Sequence, residues 1–277
     1  MSPSGIHHTP GRFAPTFRRM FAVAHSALGP QGWWPAKTPF EVCVGAILTQ
    51  NTAWTNVERA IANLKAGYCL SAEAIHRIPE ARLARLIRPA GYFNVKARRL
   101  KSFVGFLLRE LGGDITRIRE IPLEDARRAL LGVNGVGPET ADSMLLYAAG
   151  IPSFVCDAYT RRILHRHGLC AQDADYHVMQ DLLHRSFPDR DVRTFNEFHA
   201  LIVAIGKDYC RPTNPRCDVC PLRVLLAPAQ RRRISSKSSG TRAKIPGPRA
   251  RSTTPRPRDS RTGFPRSRPG RVKTAPR

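Results

Sequence analysis

In the run Val133-Asn134-Gly135-Val136-Gly137-Pro138-Glu139-Thr140-Ala141, two glycines flank one apolar residue and a proline follows where a helix would take its first turn. A tight hairpin leading into a helix satisfies all three features. Glycine reaches backbone conformations closed to other residues, and proline is pre-set for the first helical position. The free N–H groups at that positive helix end then face an anion, so the hairpin can grip a phosphate without reading a base. About twenty residues further on, Phe154-Val155-Cys156-Asp157-Ala158-Tyr159 places an aspartate just ahead of another helix.

The rest of the pattern is helical too. Thr38-Pro39-Phe40-Glu41 reads as a capping box with proline at the first helical position, followed by Phe40, Val44, Ile47 and Leu48 at helical spacing. Asn51 or Thr52 is expected to cap a second helix bearing Trp54, Val57, Ile61 and Leu64. Further helices are expected to start near Glu80, Phe93, Pro122, Pro138, Ala158, Tyr176 and Thr194, with breaks at Gly91, Gly112-Gly113, Gly132 and Gly150. No segment alternates convincingly as a strand. The expectation is an all-α body of short helices.

Charge narrows the partner. The chain holds 45 Lys+Arg against 21 Asp+Glu, a formal net charge of +24, which favours a polyanion. Residues 231–277 alone carry 16 of those bases and one acid, Asp259, yet the remainder stays basic. The segment 227–277 is rich in Arg, Pro, Ser and Gly and has too few apolar residues to bury a core, so it is read as a disordered tail. It would add salt-sensitive attraction to DNA or RNA, or serve only as a solubilising extension. Residues 1–13 read as a flexible N-terminus without the apolar stretch of a secretory signal. No apolar run long enough to span a membrane is present, and a cytoplasmic, nucleoid-associated location is expected.

Four motifs in order, Ile47-Leu48-Thr49-Gln50-Asn51-Thr52, Gly91-Tyr92-Phe93-Asn94-Val95-Lys96-Ala97, Gly135 to Ala141 and Val155-Cys156-Asp157, resemble those of the helix-hairpin-helix (HhH-GPD) DNA glycosylases of the endonuclease III superfamily. The resemblance covers nearly all of residues 20–226. It implies a helical barrel over about 36–135 and a second helical domain from 14–35 and 136–209. A groove between them would receive a damaged nucleotide flipped out of double-stranded DNA. A monomer suffices for that fold.

Carried over by position, Asp157 matches the catalytic aspartate, and Gly135, Val136, Gly137 and Thr140 match the DNA-gripping hairpin. Gln50 falls where relatives place a polar residue that fills the hole left by the flipped nucleotide. Asp157 also suits a plain helix cap, and the two roles are compatible. Bifunctional relatives carry a lysine that forms a Schiff base with the sugar; here that position is Glu139, and no lysine lies between Leu131 and Arg162. A carboxylate cannot form an imine, so a monofunctional enzyme without lyase activity is expected. Trp33-Trp34-Pro35 and Trp54 resemble the 3-methyladenine glycosylase branch. Indole faces there would stack a cationic alkylated purine, at about 1–3 kcal/mol per contact; packing in the core is the alternative for Trp33, Trp34 and Trp54. Lys96, Arg98 and Arg99 read either as DNA-backbone contacts or as a solvated face.

Seven cysteines in a chain without a secretory signal argue against a disulfide framework. Cys210, Cys217 and Cys220 resemble three of the four ligands in a relative's [4Fe-4S] loop, spanning here 210–226, but Leu226 stands at the fourth position. That leaves a relic loop, a cluster held by three cysteines, or a zinc site completed by histidine or water. No cofactor is needed for the aspartate's chemistry. Two other functions stay open: an endonuclease III-like enzyme for oxidised pyrimidines that retains lyase activity through another amine, and a non-catalytic binder of distorted DNA relying on hairpin and tail.

Overall fold

Helical periodicity is realised throughout residues 13–227, the part that a computed structural model describes, and these residues hold eleven α-helices and no strand. In chain order the helices are α1 (Ala14–Leu28), α2 (Pro39–Leu48), α3 (Trp54–Ala66), α4 (Ala72–Arg77), α5 (Glu80–Leu86), α6 (Phe93–Leu111), α7 (Leu123–Leu131), α8 (Pro138–Ser143), α9 (Ala158–Arg166), α10 (Tyr176–Ser186) and α11 (Val192–Asp208). Contacts divide the chain between Ser239 and Gly240, and every described residue lies before that division. The expected flexible N-terminus, apart from Phe13, and the basic tail, apart from Ala227, lie outside the described residues.

Polar side-chain caps start five of the eleven α-helices. Thr38 accepts the Glu41 N–H at 3.1 Å, while Glu41 takes the N–H of Lys37 rather than that of Thr38, so only half of the capping box forms. Ser71, Asp157, Asp175 and Asp191 cap α4, α9, α10 and α11 in the same way. One expectation needs correction: the residue before α3 is Ala53, with no side-chain cap, while the Thr52 hydroxyl bonds the carbonyl of Ala90. Helix α11 begins at Val192, near the expected Thr194, with Asp191 as its cap. The pattern also gave no sign of α1 or α4.

Two hydrophobic clusters form. One runs from Val42 to Ala149; the other joins Phe17, Met20 and Ala24 of α1 to Phe154, Val155 and Cys156 and to α9, α10 and α11. Full burial of Phe17 and Met20 contributes about 1.5–3 kcal/mol each. Helix α8 continues into a π-helical turn, Met144–Ala148, that lies where the clusters meet. Met144, Leu145 and Ala148 face the first cluster, Leu146 the second, and Tyr147 packs against both.

A buried polar network ties this seam together. Asp142, with no solvent exposure, accepts Arg127 Nε at 2.9 Å and Nη2 at 3.1 Å, the Ser153 hydroxyl at 2.6 Å and the Tyr176 hydroxyl at 2.8 Å. Tyr176 in turn accepts the N–H of Cys156, the residue before Asp157. Gln180 donates to the carbonyl of Phe154 at 2.7 Å. Asp142→Ala would strand the Arg127 charge and two hydroxyls, and it is expected to cost about 3–5 kcal/mol in urea denaturation; a loss below about 1 kcal/mol would show that the network is not holding the seam.

Candidate active site

Gly135 sits at φ +86 at the tip of the hairpin, and a Cβ there would come within 2.2 Å of Arg99 Cγ. Both the backbone conformation and the close approach require glycine. Gly137 caps α8 and Pro138 takes its first position, while the Val136 side chain turns into the first hydrophobic cluster. Gln50 braces the hairpin: Nε2 donates to the Gly135 carbonyl at 2.9 Å and to the Thr140 hydroxyl at 3.0 Å, and Oε1 accepts from Arg99 Nη1. Gln50, Arg99, the hairpin, Glu139 and Tyr176 line one open groove.

At the N-terminus of α9, Asp157 Oδ1 accepts the Thr160 N–H at 2.7 Å and the Thr160 hydroxyl at 2.9 Å. Oδ2 is left facing His199 Nε2 at 3.6 Å, too long for a hydrogen bond. Burial acts to raise this carboxyl, but His199 and the Thr160 bonds outweigh it and hold the group below the usual carboxylate range. His199 Nε2 is buried without a hydrogen-bond partner, while Nδ1 meets the hydroxyl of Tyr147. Tyr147 packs on Trp34 with ring centroids 5.2 Å apart; Trp34 lies 5.2 Å from Trp54, and Trp33 touches both. Gly45 lies against the indoles, where a Cβ would make ordinary van der Waals contact with Trp34 at 3.4 Å and Trp54 at 3.5 Å. The three tryptophans thus form one half-buried cluster that continues through Tyr147 and His199 to Asp157.

Sequence reasoning missed Tyr147 and His199. Both lie inside helical segments at positions that read as ordinary core, and only the packing of the π-helical turn Met144–Ala148 against α11 brings them together. Lys96 is a correction: it is 1 % exposed, and its ammonium donates to the carbonyls of Leu48 and Ala90 at 2.8 Å and to the Thr52 hydroxyl at 2.7 Å. Three donors meet three acceptors, so Lys96 joins α2 to the turn before α6 and is not a DNA contact.

Glu139 lies at the groove's exposed edge, yet the protein around its carboxyl and the nearby charge of Asp157 push it up to about 7, against the pull of His199 and Arg161. Because the fold favours the protonated form, Glu139 adds stability below its ordinary value of 4.5, and that stability is lost as the pH rises to about 7. The wild-type chain should therefore lose stability relative to Glu139→Gln across this window in urea titrations. A difference that stays constant from pH 4 to 8 would count against a raised Glu139.

The cysteine loop follows α11. Cys210, Cys217 and Cys220 line a small cavity together with His167 and the buried Leu226. Leu226 offers no donor, so the four-thiolate set that the resemblance implies is incomplete. His167, however, brings into the same cavity a buried Nδ1 that has no hydrogen-bond partner.

The model of the HhH-GPD superfamily of base excision DNA repair proteins matches residues 44–189, just over half of the chain. A candidate DNA repair glycosylase of Methanocaldococcus jannaschii is 43% identical over 210 residues, covering 74% of this chain and 93% of that protein. Among solved structures, Helicobacter pylori 3-methyladenine DNA glycosylase bound to 1,N6-ethenoadenine is similar with a TM-score of 0.61 at 26% identity, covering 70% of this chain and 96% of that one. A trapped endonuclease III–DNA covalent intermediate has the same fold, with a TM-score of 0.69 at 21% identity over 80% of this chain and 98% of that one. With its hairpin, its capped aspartate and these likenesses, the chain belongs to the HhH-GPD superfamily of base excision DNA repair glycosylases.

Proposed function

We propose that the chain is a monofunctional glycosylase that hydrolyses the N-glycosidic bond of alkylated purines in double-stranded DNA. The observation that carries this reading is the unbroken path from Trp33, Trp34 and Trp54 through Tyr147 and His199 to Asp157. It sets an aromatic wall suited to a cationic base beside a single ionised carboxylate. The likeness to a 3-methyladenine glycosylase supports the same substrate class.

In the proposed reaction the hairpin and the Arg99–Gln50 brace hold the strand while the flipped base stacks on Trp34 and Trp54. The C1′–N bond breaks with its electron pair leaving on the base, which neutralises the positive charge of the alkylated ring. The sugar becomes cationic, and Asp157 Oδ2 stabilises that charge and accepts the proton of the water that adds to C1′. His199 acts as a positioning residue: with Nδ1 accepting from Tyr147, its Nε2–H points at Oδ2. Glu139 is a carboxyl and, in either protonation state, cannot form an imine in place of the missing lysine. Lys96 is an unsuitable substitute nucleophile because all its donors are engaged and it is buried.

Four measurements test this reading. Duplex DNA methylated at random should release free alkylated purine without strand nicking, and borohydride should trap no protein–DNA adduct; an adduct, or nicking at thymine glycol, would establish the lyase instead. Asp157→Asn should lower turnover by about 10²–10⁴-fold while DNA binding survives, and retained turnover would leave a binding module. Trp34→Ala should lower kcat/KM by about 10–100-fold, the equivalent of one stacking contact. His199→Phe should lower kcat more than it raises KM and move the acidic limb of the pH–rate profile upward, since His199 is among the groups that hold Asp157 down; an unmoved limb would assign His199 to packing alone.

A further inference from the structure

Helix α9 runs between its N-cap, Asp157, and its C-cap, His167. The cysteine loop closes over that far end. Arg162 Nε donates to the Cys210 carbonyl at 2.5 Å, and Arg166 Nη1 donates to Cys210 Sγ at 3.2 Å. The loop is thus anchored to the last turn of α9, beside His167, and not held by its own residues alone.

We infer that His167, through Nδ1, supplies the fourth ligand of an iron–sulfur cluster whose other ligands are Cys210, Cys217 and Cys220, in place of the thiolate that Leu226 cannot provide. All four residues line one cavity. A buried nitrogen lone pair without a partner costs free energy unless something satisfies it, and buried polar atoms in folded proteins are nearly always satisfied. The ring is also set for ligation. His167 hydrogen-bonds the backbone of Leu225, and because Nδ1 has no partner that bond belongs to Nε2. A ligating histidine characteristically fixes its tautomer and ring orientation in this way, with one nitrogen bonded to a carbonyl and the other free for the metal.

Three sulfurs and an imidazole make a soft donor set, suited to iron–sulfur clusters or zinc and poorly suited to magnesium or calcium. Zinc needs its donors within about 2.0–2.3 Å of one centre, and among the described residues no group of three or more His, Cys, Asp or Glu is found that could hold a single ion. A cluster takes its ligands on separate irons and does not require that convergence. The Arg166 contact to Cys210 Sγ supplies the kind of hydrogen bond to sulfur that tunes such clusters.

The test is metal analysis of the full chain purified without oxygen, with iron, acid-labile sulfide and zinc counted per chain and the visible charge-transfer absorption recorded. The expected result is iron and sulfide in the wild type, with iron falling about tenfold or more in His167→Ala, as in Cys217→Ser. Should His167→Ala fail to fold, His167→Cys keeps the inference testable: it should retain the cluster at a lower reduction potential, because imidazole ligation raises the potential relative to thiolate. Adding Leu226→Cys to His167→Ala should restore iron. Zinc in place of iron, no metal in the wild type, equal iron in His167→Ala, or an unchanged potential in His167→Cys would each overturn the assignment. None of these readouts depends on glycosylase activity.

Discussion

A carboxylate with no access to water, Asp142, holds together the elements that form the site. A buried charge is tolerable only when it is paired and hydrogen-bonded, and Asp142 takes its partners from three places: Arg127 on α7, Ser153 in the connection after the π turn, and Tyr176 on α10. Through Tyr176 the network reaches the backbone of Cys156, one residue before the aspartate of the groove. The candidate catalytic group is therefore placed by a second, structural carboxylate that never meets substrate.

Asp157 itself divides its two oxygens between tasks. Oδ1 caps α9 through Thr160, which fixes the side chain's rotamer and lowers its proton affinity; Oδ2 is left for His199 and, in the proposed reaction, for the sugar. A cap and a catalyst are compatible because they use different atoms. Glu139 stands close enough to feel the charge of Asp157, and the two carboxyls are pushed in opposite directions, one below and one above the ordinary range. Around neutral pH the groove then carries one full negative charge with a second only partly developed, which suits a reaction that builds a single positive charge.

Much of this was legible along the chain because it is local. The hairpin glycines, Pro138 and the cap at Asp157 act through neighbours a few residues apart, and Trp33, Trp34 and Trp54 fall within one short stretch of chain that the structure gathers into one cluster. What escaped is long-range. Lys96 reads as one base in a basic helix, yet its acceptors at Leu48 and Ala90 come from other elements. Tyr147 and His199 are 52 residues apart and meet only after the π-helical turn and α11 pack. His167 gave no metal-ligand spacing relative to Cys210, because the two approach through the end of a helix and not through a shared loop.

By itself, then, the sequence determined helical class, hairpin and helix caps, since each depends on backbone preferences and residue chemistry read over a few positions. Only the tertiary structure decided which basic residue is buried, which histidine faces Asp157 and which stands beside the cysteines. Those are matters of side-chain direction and of distance between helices far apart in the chain. No local preference encodes them, because the packing of the two hydrophobic clusters settles all of them together.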